Sequence, residues 1–147
     1  VIEVTERVDV AAPPERTWAV LTDWPAQGEW MLGTTVRVVG GDGEGVGSQL
    51  SAFTGVGPLG FTDTMDITEW DPPRRCVVRH TGSLVSGIGV FEVLPRVGGG
   101  SVLVWSERLR PPLGRLGDLG WLLVGPAFRL GLRRSLRAFA EQAGGGR

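Results

Sequence analysis

Lysine, tyrosine and asparagine are absent from this chain of 147 residues, which has a single cysteine, Cys76, and a single histidine, His80. Each absence closes a chemistry. Without lysine there is no Schiff base, no pyridoxal anchor and no phosphate-loop lysine, and without tyrosine there is no phenolic acid. One Cys and one His cannot form a disulfide or a His/Cys-rich zinc site within one chain, which leaves only carboxylates as conceivable metal ligands, and neither a cofactor nor a metal is expected. An excess of charge is missing too: 15 arginines face 16 carboxylates, for a net charge of −1, which leaves no electrostatic footprint for nucleic acid. The longest uncharged apolar stretch, Leu119 to Phe128, is ten residues, where about 20 are needed to cross a bilayer. The opening Val1-Ile2-Glu3-Val4 carries charge where a secretory segment is apolar. A cytoplasmic protein is expected.

What is present is ordinary globular composition, 41% hydrophobic and 21% charged, with length for one domain spanning residues 1–147. Ile2, Val4, Val8 and Val10 recur with period two and read as a strand, interrupted on that face by Glu6. Pro14 and Glu15 suit the first turn of a helix, whose Trp18 and Leu21 share a face. Pro25 ends it, and a second short helical turn runs to Trp30. From Thr34 onward, Gly and Pro punctuate short alternating segments near 34–40, 48–54, 61–70, 75–81, 87–95 and 101–109, the pattern of an antiparallel meander. Alternation is lost from about Leu113 to Ala143. There Leu116, Leu119, Leu123, Ala127, Leu130 and Phe139 form a helical stripe, and Pro126 is expected to kink or divide the helix.

Four segments in this order carry a resemblance: Val8-Asp9-Val10-Ala11-Ala12-Pro13-Pro14-Glu15-Arg16-Thr17-Trp18 with Leu21-Thr22-Asp23; Trp24 to Trp30; Glu69-Trp70-Asp71-Pro72-Pro73-Arg74-Arg75; and Gly99-Gly100-Ser101-Val102-Leu103-Val104-Trp105. The chain resembles the START-like, helix-grip superfamily, and within it the polyketide cyclase/dehydrase-like proteins of bacteria. It departs from the family pattern at Pro13, where a capping residue is usual, at Thr17, usually aliphatic, and at Ser101, usually Thr. The resemblance implies an α+β helix-grip fold: a curved seven-stranded antiparallel sheet wrapped around a long C-terminal helix, with two short helices after the first strand. It also implies an internal cavity for an apolar or amphipathic molecule.

Alternation then nominates a lining. Phe61, Asp63, Met65 and Ile67 share one strand face; Ser101, Leu103, Trp105, Glu107 and Leu109 share another; Cys76, Val78 and His80 form a third. Phe53 and Phe91 are expected to join them, and Trp30, Trp121 and Phe128 to lie near the mouth or the helix. Ligand contact is therefore assigned to Trp30, Phe53, Phe61, Asp63, Met65 and His80, and to Phe91, Trp105, Glu107, Trp121 and Phe128. The polar interruptions are Glu6, Asp63, His80 and Glu107. A carboxylate or imidazole facing an apolar cavity has perturbed protonation and can exchange protons with a ligand.

Three function classes follow. The leading one is a binding protein that shelters a hydrophobic or aromatic, lipid- or polyketide-like small molecule. The second is a polyketide cyclase/aromatase or dehydratase, with His80, Asp63 or Glu107 as proton-transfer groups and Arg79 or Arg108 stabilising an enolate if they face inward. The third is a membrane- or partner-associated module. Residues 108–147 hold eight arginines and two carboxylates, against seven and fourteen before them, and Arg129, Arg133, Arg134 and Arg137 form a basic helix edge. Peripheral membrane contact is the less favoured use of that edge, and a monomer or homodimer is expected. Gly55-Val56-Gly57-Pro58-Leu59-Gly60 matches a dinucleotide-binding string, but a strand follows it and Pro58 lacks an amide donor, so nucleotide binding is not expected.

Overall fold

The computed structural model describes residues 1–145. Strand β1 (Ile2–Val10) is followed by helix α1 (Pro14–Leu21) and a short 3₁₀ helix, Trp24–Glu29. Strands β2 (Thr34–Gly40), β3 (Gln49–Val56), β4 (Leu59–Asp71), β5 (Arg75–Thr81), β6 (Ser86–Pro95) and β7 (Ser101–Arg110) come next, and helix α2 (Arg115–Gly144) closes the sequence of elements. The strands form one antiparallel sheet in the order β1-β7-β6-β5-β4-β3-β2. This is the helix-grip, START-like α+β architecture.

The meander follows from local chemistry. Each hairpin can pair with its predecessor because its turn carries residues that tolerate unusual backbone. At the β3–β4 turn Gly57 has φ +56°, a value that costs glycine nothing and an L side chain a good deal. Consecutive hairpins make every neighbour local except one. Strand β1 crosses to pair with β7 along its whole length, from Ile2 opposite Leu109 to Val10 opposite Ser101.

The core lies between the concave sheet face and the C-terminal half of α2. Phe139, fully buried, packs edge to face on Trp30 with centroids 4.9 Å apart, and Trp30 meets Trp105 at 6.3 Å. Trp30 is thus a core residue, enclosed between α2 and β7, rather than a residue of a cavity mouth. Two of the departures from the family pattern compensate each other. The buried Thr17 hydroxyl lies 2.6 Å from the Ser101 hydroxyl, which donates to the Ala12 carbonyl at 2.9 Å. With Ser101 donating onward, Thr17 donates to Ser101, and both hydroxyls are satisfied. This chain ties α1 to β7.

Helix α2 differs from expectation in two respects. Pro126 does not divide it: the helix is continuous from Arg115 to Gly144. The carbonyl deprived of its partner belongs to Leu122, which is exposed and open to water. The buried stripe is also different. Leu116, Leu119, Leu123 and Leu130 are exposed, whereas Leu132, Ser135, Leu136, Phe139 and Ala143 are buried. The N-terminal half of α2 reaches past the sheet contacts that bury the C-terminal half, so leucine spacing alone did not identify the covered face.

Because Phe139 fills the space between Trp30 and the sheet, Phe139→Ala is expected to cost about 3–5 kcal/mol, read as a lower denaturant midpoint. A change below about 1 kcal/mol would show that the helix is not held by this contact.

Candidate functional site

A cavity of about 360 Å³ lies between the concave sheet face, the end of the 3₁₀ helix and α2. Its walls are mostly apolar: Leu50 and Ala52 of β3, Phe61 and Met65 of β4, Val78 of β5, Phe91 of β6, and Phe128 and Leu132 of α2. Three ionisable side chains interrupt them, Asp63, His80 and Glu107.

Those three are bonded to one another. His80 Nδ1 lies 2.8 and 3.0 Å from the two Asp63 carboxylate oxygens, and His80 Nε2 lies 2.9 Å from Glu107 Oε2. The Trp105 indole N–H donates to Glu107 Oε1 at 3.0 Å. The strand register explains how residues from β4, β5 and β7 meet. His80 stands next to Met65 of β4, so Asp63 is its diagonal neighbour. Glu107 is two strands away, about 10 Å in the pairing direction, with β6 between. The β6 residues opposite them are both glycine: Gly87 faces His80 and Leu109, and Gly89 faces Val78 and Glu107. A Cβ on Gly89 would come within 3.0 Å of both Glu107 carboxylate oxygens. The side chain missing at Gly89 therefore opens the lane through which imidazole and carboxylate touch, whereas a Cβ on Gly87 would run into the Arg108 backbone of β7.

Burial by itself lowers the pKa of His80. The hydrogen bonds and negative charges of Asp63 and Glu107 outweigh that effect and raise it from 6.5 to about 10. His80 is an imidazolium at neutral pH, with both N–H groups given to carboxylates. It has no lone pair to act as a base, and the open acceptor positions in the wall belong to Asp63 and Glu107. Among the described residues no group of three His, Cys, Asp or Glu side chains is arranged to hold a metal ion.

Eight of the eleven expected lining residues face this space: Phe61, Asp63, Met65, His80, Phe91, Trp105, Glu107 and Phe128. Three do not. Trp30 lies in the core. Phe53 is 38% exposed on the convex face, because Leu50, Ala52 and Thr54 take the inward positions of β3, and its ring covers Gly60. Trp121 packs edge to face on Phe128 at 5.3 Å without reaching the cavity. Glu6 does point toward the helix, but it binds Arg133 at 3.0 Å, outside the cavity lining. Arg79 and Arg108 lie on the outer face, paired with Asp66 and Glu3 at 3.1 and 2.6 Å, and so are not placed to stabilise an enolate inside. Sequence reasoning missed Leu50 and Ala52 on β3 and Leu132 and Ser135 on α2. The helical pair was detectable, since residues 128, 132, 135 and 139 recur at spacings of four, three and four.

Residues 1–144 match the family described as "Polyketide cyclase / dehydrase and lipid transport". The chain belongs to this family. Among solved structures it is similar to a protein of Thermus thermophilus, with a TM-score of 0.81, 19% identity and coverage of 97% of each chain. A START superfamily protein from Mycobacterium smegmatis has a TM-score of 0.75 at 16% identity, covering 95% of this chain and 97% of its own. The Aha1 dimer of Colwellia psychrerythraea has a TM-score of 0.69 at 14% identity, covering 98% and 97%. These likenesses concern the fold, whereas the Asp63–His80–Glu107 group is a feature of this chain's own geometry. No curated protein matches the sequence. No helix among the described residues is long and apolar enough to cross a membrane.

The raised His80 pKa fixes the direction of a pH effect. Stability contributed by the protonated, ion-paired ring is fully present below the unfolded-state value of about 6.5 and is lost as pH rises through about 10. Denaturant titrations of the native protein at intervals from pH 6 to pH 10.5 should show falling stability across that window, and Gly89→Ala, which pushes Glu107 aside, should flatten the fall. A wild-type profile identical to that of His80→Gln would contradict the ion pairing.

Proposed function

We propose that this protein binds a hydrophobic or aromatic small molecule in the cavity beneath α2. The observation that carries the reading is the partly open space of about 360 Å³ with apolar walls and a single ionisable group of side chains. That size falls within the range of small-molecule sites. Apolar walls left facing water in this space are unfavourable by roughly 25 cal/mol per Å². A guest that buries apolar surface there offsets that cost. The family's description, with its cyclase, dehydrase and lipid-transport members, supports the same class of ligand. In the cyclase or dehydratase reading, proton transfer falls to the acceptor positions of Asp63 and Glu107. Binding is preferred because it requires no reacting group beyond the walls themselves.

Gly131 supplies the test. It lines the cavity from α2, and a Cβ there would meet nothing within 4 Å. Gly131→Leu fills the space while improving helix propensity by about 0.5–1 kcal/mol. With the neutral fluorophore N-phenyl-1-naphthylamine, the wild type should bind with enhanced emission, and the variant should bind at least about tenfold more weakly with an unchanged or higher melting temperature. Equal binding by both proteins would place the site elsewhere.

A further inference from the structure

The charge in the cavity wall does not balance. Asp63 and Glu107 contribute two carboxylates, and His80 is the one cation opposite them; among the described residues no arginine belongs to the lining. Of the cations on neighbouring elements, Arg110, Arg129, Arg134 and Arg137 are exposed and outside the lining, and three others are paired elsewhere. Arg79 on β5 and Arg108 on β7 bind Asp66 and Glu3 on the convex face, and Arg133 on α2 binds Glu6. One negative charge is therefore left over in a site whose other walls are largely hydrocarbon. A buried charge is costly unless it is paired and hydrogen-bonded.

The hydrogen-bond inventory is unbalanced in the same direction. Two carboxylates offer about eight acceptor positions, and the described residues supply three side-chain N–H donors to them, two from His80 and one from Trp105. The other polar side chains of the lining are bonded away from the carboxylates, although Ser135 keeps its own O–H. Gln27 donates to the Leu21 carbonyl, Ser135 accepts from the Leu32 amide, and Thr34 and Thr54 bond to each other. Among the described residues the wall therefore offers acceptors and negative charge, with no cation left to answer them.

A ligand completes this arrangement if it brings both missing components. Resting on the reading of the cavity as a binding site, we infer that its preferred guests are apolar or aromatic molecules bearing a protonated amine, which sits against Asp63 and Glu107, and that it selects against carboxylates. The ammonium N–H groups form charge-assisted hydrogen bonds to the open carboxylate positions, while the apolar body fills the space toward Leu50, Phe128 and Leu132. A carboxylate ligand would bring a third anion to a wall with no cation to receive it.

Three probes with one aromatic body separate the possibilities: anthracene carrying an aminomethyl, a hydroxymethyl or a carboxylate group, each titrated at pH 7 into the full chain and followed by its own fluorescence. The amine is expected to bind about tenfold or more tightly than the alcohol, and the carboxylate most weakly. Asp63→Asn keeps an acceptor for the His80 Nδ1–H but removes the surplus charge, so the amine and alcohol affinities should converge to within about threefold. If amine and alcohol bind the wild type equally, or if the preference survives in Asp63→Asn, the inference is overturned while the cavity reading stands. Tighter binding of the carboxylate overturns it as well. If none of the three binds, the cavity reading falls, and the inference with it.

Discussion

The bonded chain Asp63–His80–Glu107 is the constraint on which the rest of the site depends. Three strands contribute to it, and β6 leaves room for it by presenting Gly89 where a side chain would press on the Glu107 carboxylate. The two carboxylates hold the ring as a cation against the pull of burial. The same contacts deny the ring its usual role as a base. A histidine in a cavity is commonly read as a proton-transfer group; here the geometry makes it a counter-ion that leaves the chemistry of the wall to the carboxylates.

The two ends of the molecule divide the labour. Toward the C-terminal end of α2, Phe139, Trp30 and Trp105 form a packed aromatic core that holds helix to sheet. Toward the other end Gly131 leaves room beneath the helix, and the sheet face opens into the cavity. Stability and binding capacity are thus separated along one helix. The exposed Leu116, Leu119, Leu122 and Leu123 belong to the half that contributes little to the core.

Much of this was legible in the sequence. Period-two alternation located β1, and Gly and Pro punctuation located the other six strands to within two residues, since turns impose backbone requirements that few residues meet. Strict alternation placed Phe61, Asp63 and Met65 on one face, Val78 and His80 on a second and Trp105 and Glu107 on a third, which brought all three members of the polar group onto inward faces. Where alternation was weak, it failed. The inward face of β3 is Leu50, Ala52 and Thr54, less apolar than the outward Phe53, and only pairing with β4 decides between the two. The helix misled for a related reason. Leucines mark a hydrophobic stripe but not whether a sheet lies beneath it, and the covered stripe of α2 includes Ser135. The role of Gly89 was hidden altogether, because its meaning lies in what stands on the neighbouring strands.

The most direct measurement is an NMR titration of the isotope-labelled protein with a neutral apolar probe such as N-phenyl-1-naphthylamine. The largest shift changes are expected at the His80 ring, unambiguous because the chain has one histidine, and at Phe61, Val78 and Leu132 around it, with Arg79 and Arg108 on the outer face undisturbed. Changes confined to the exposed segment from Leu116 to Val124, with the His80 ring unmoved, would contradict this expectation.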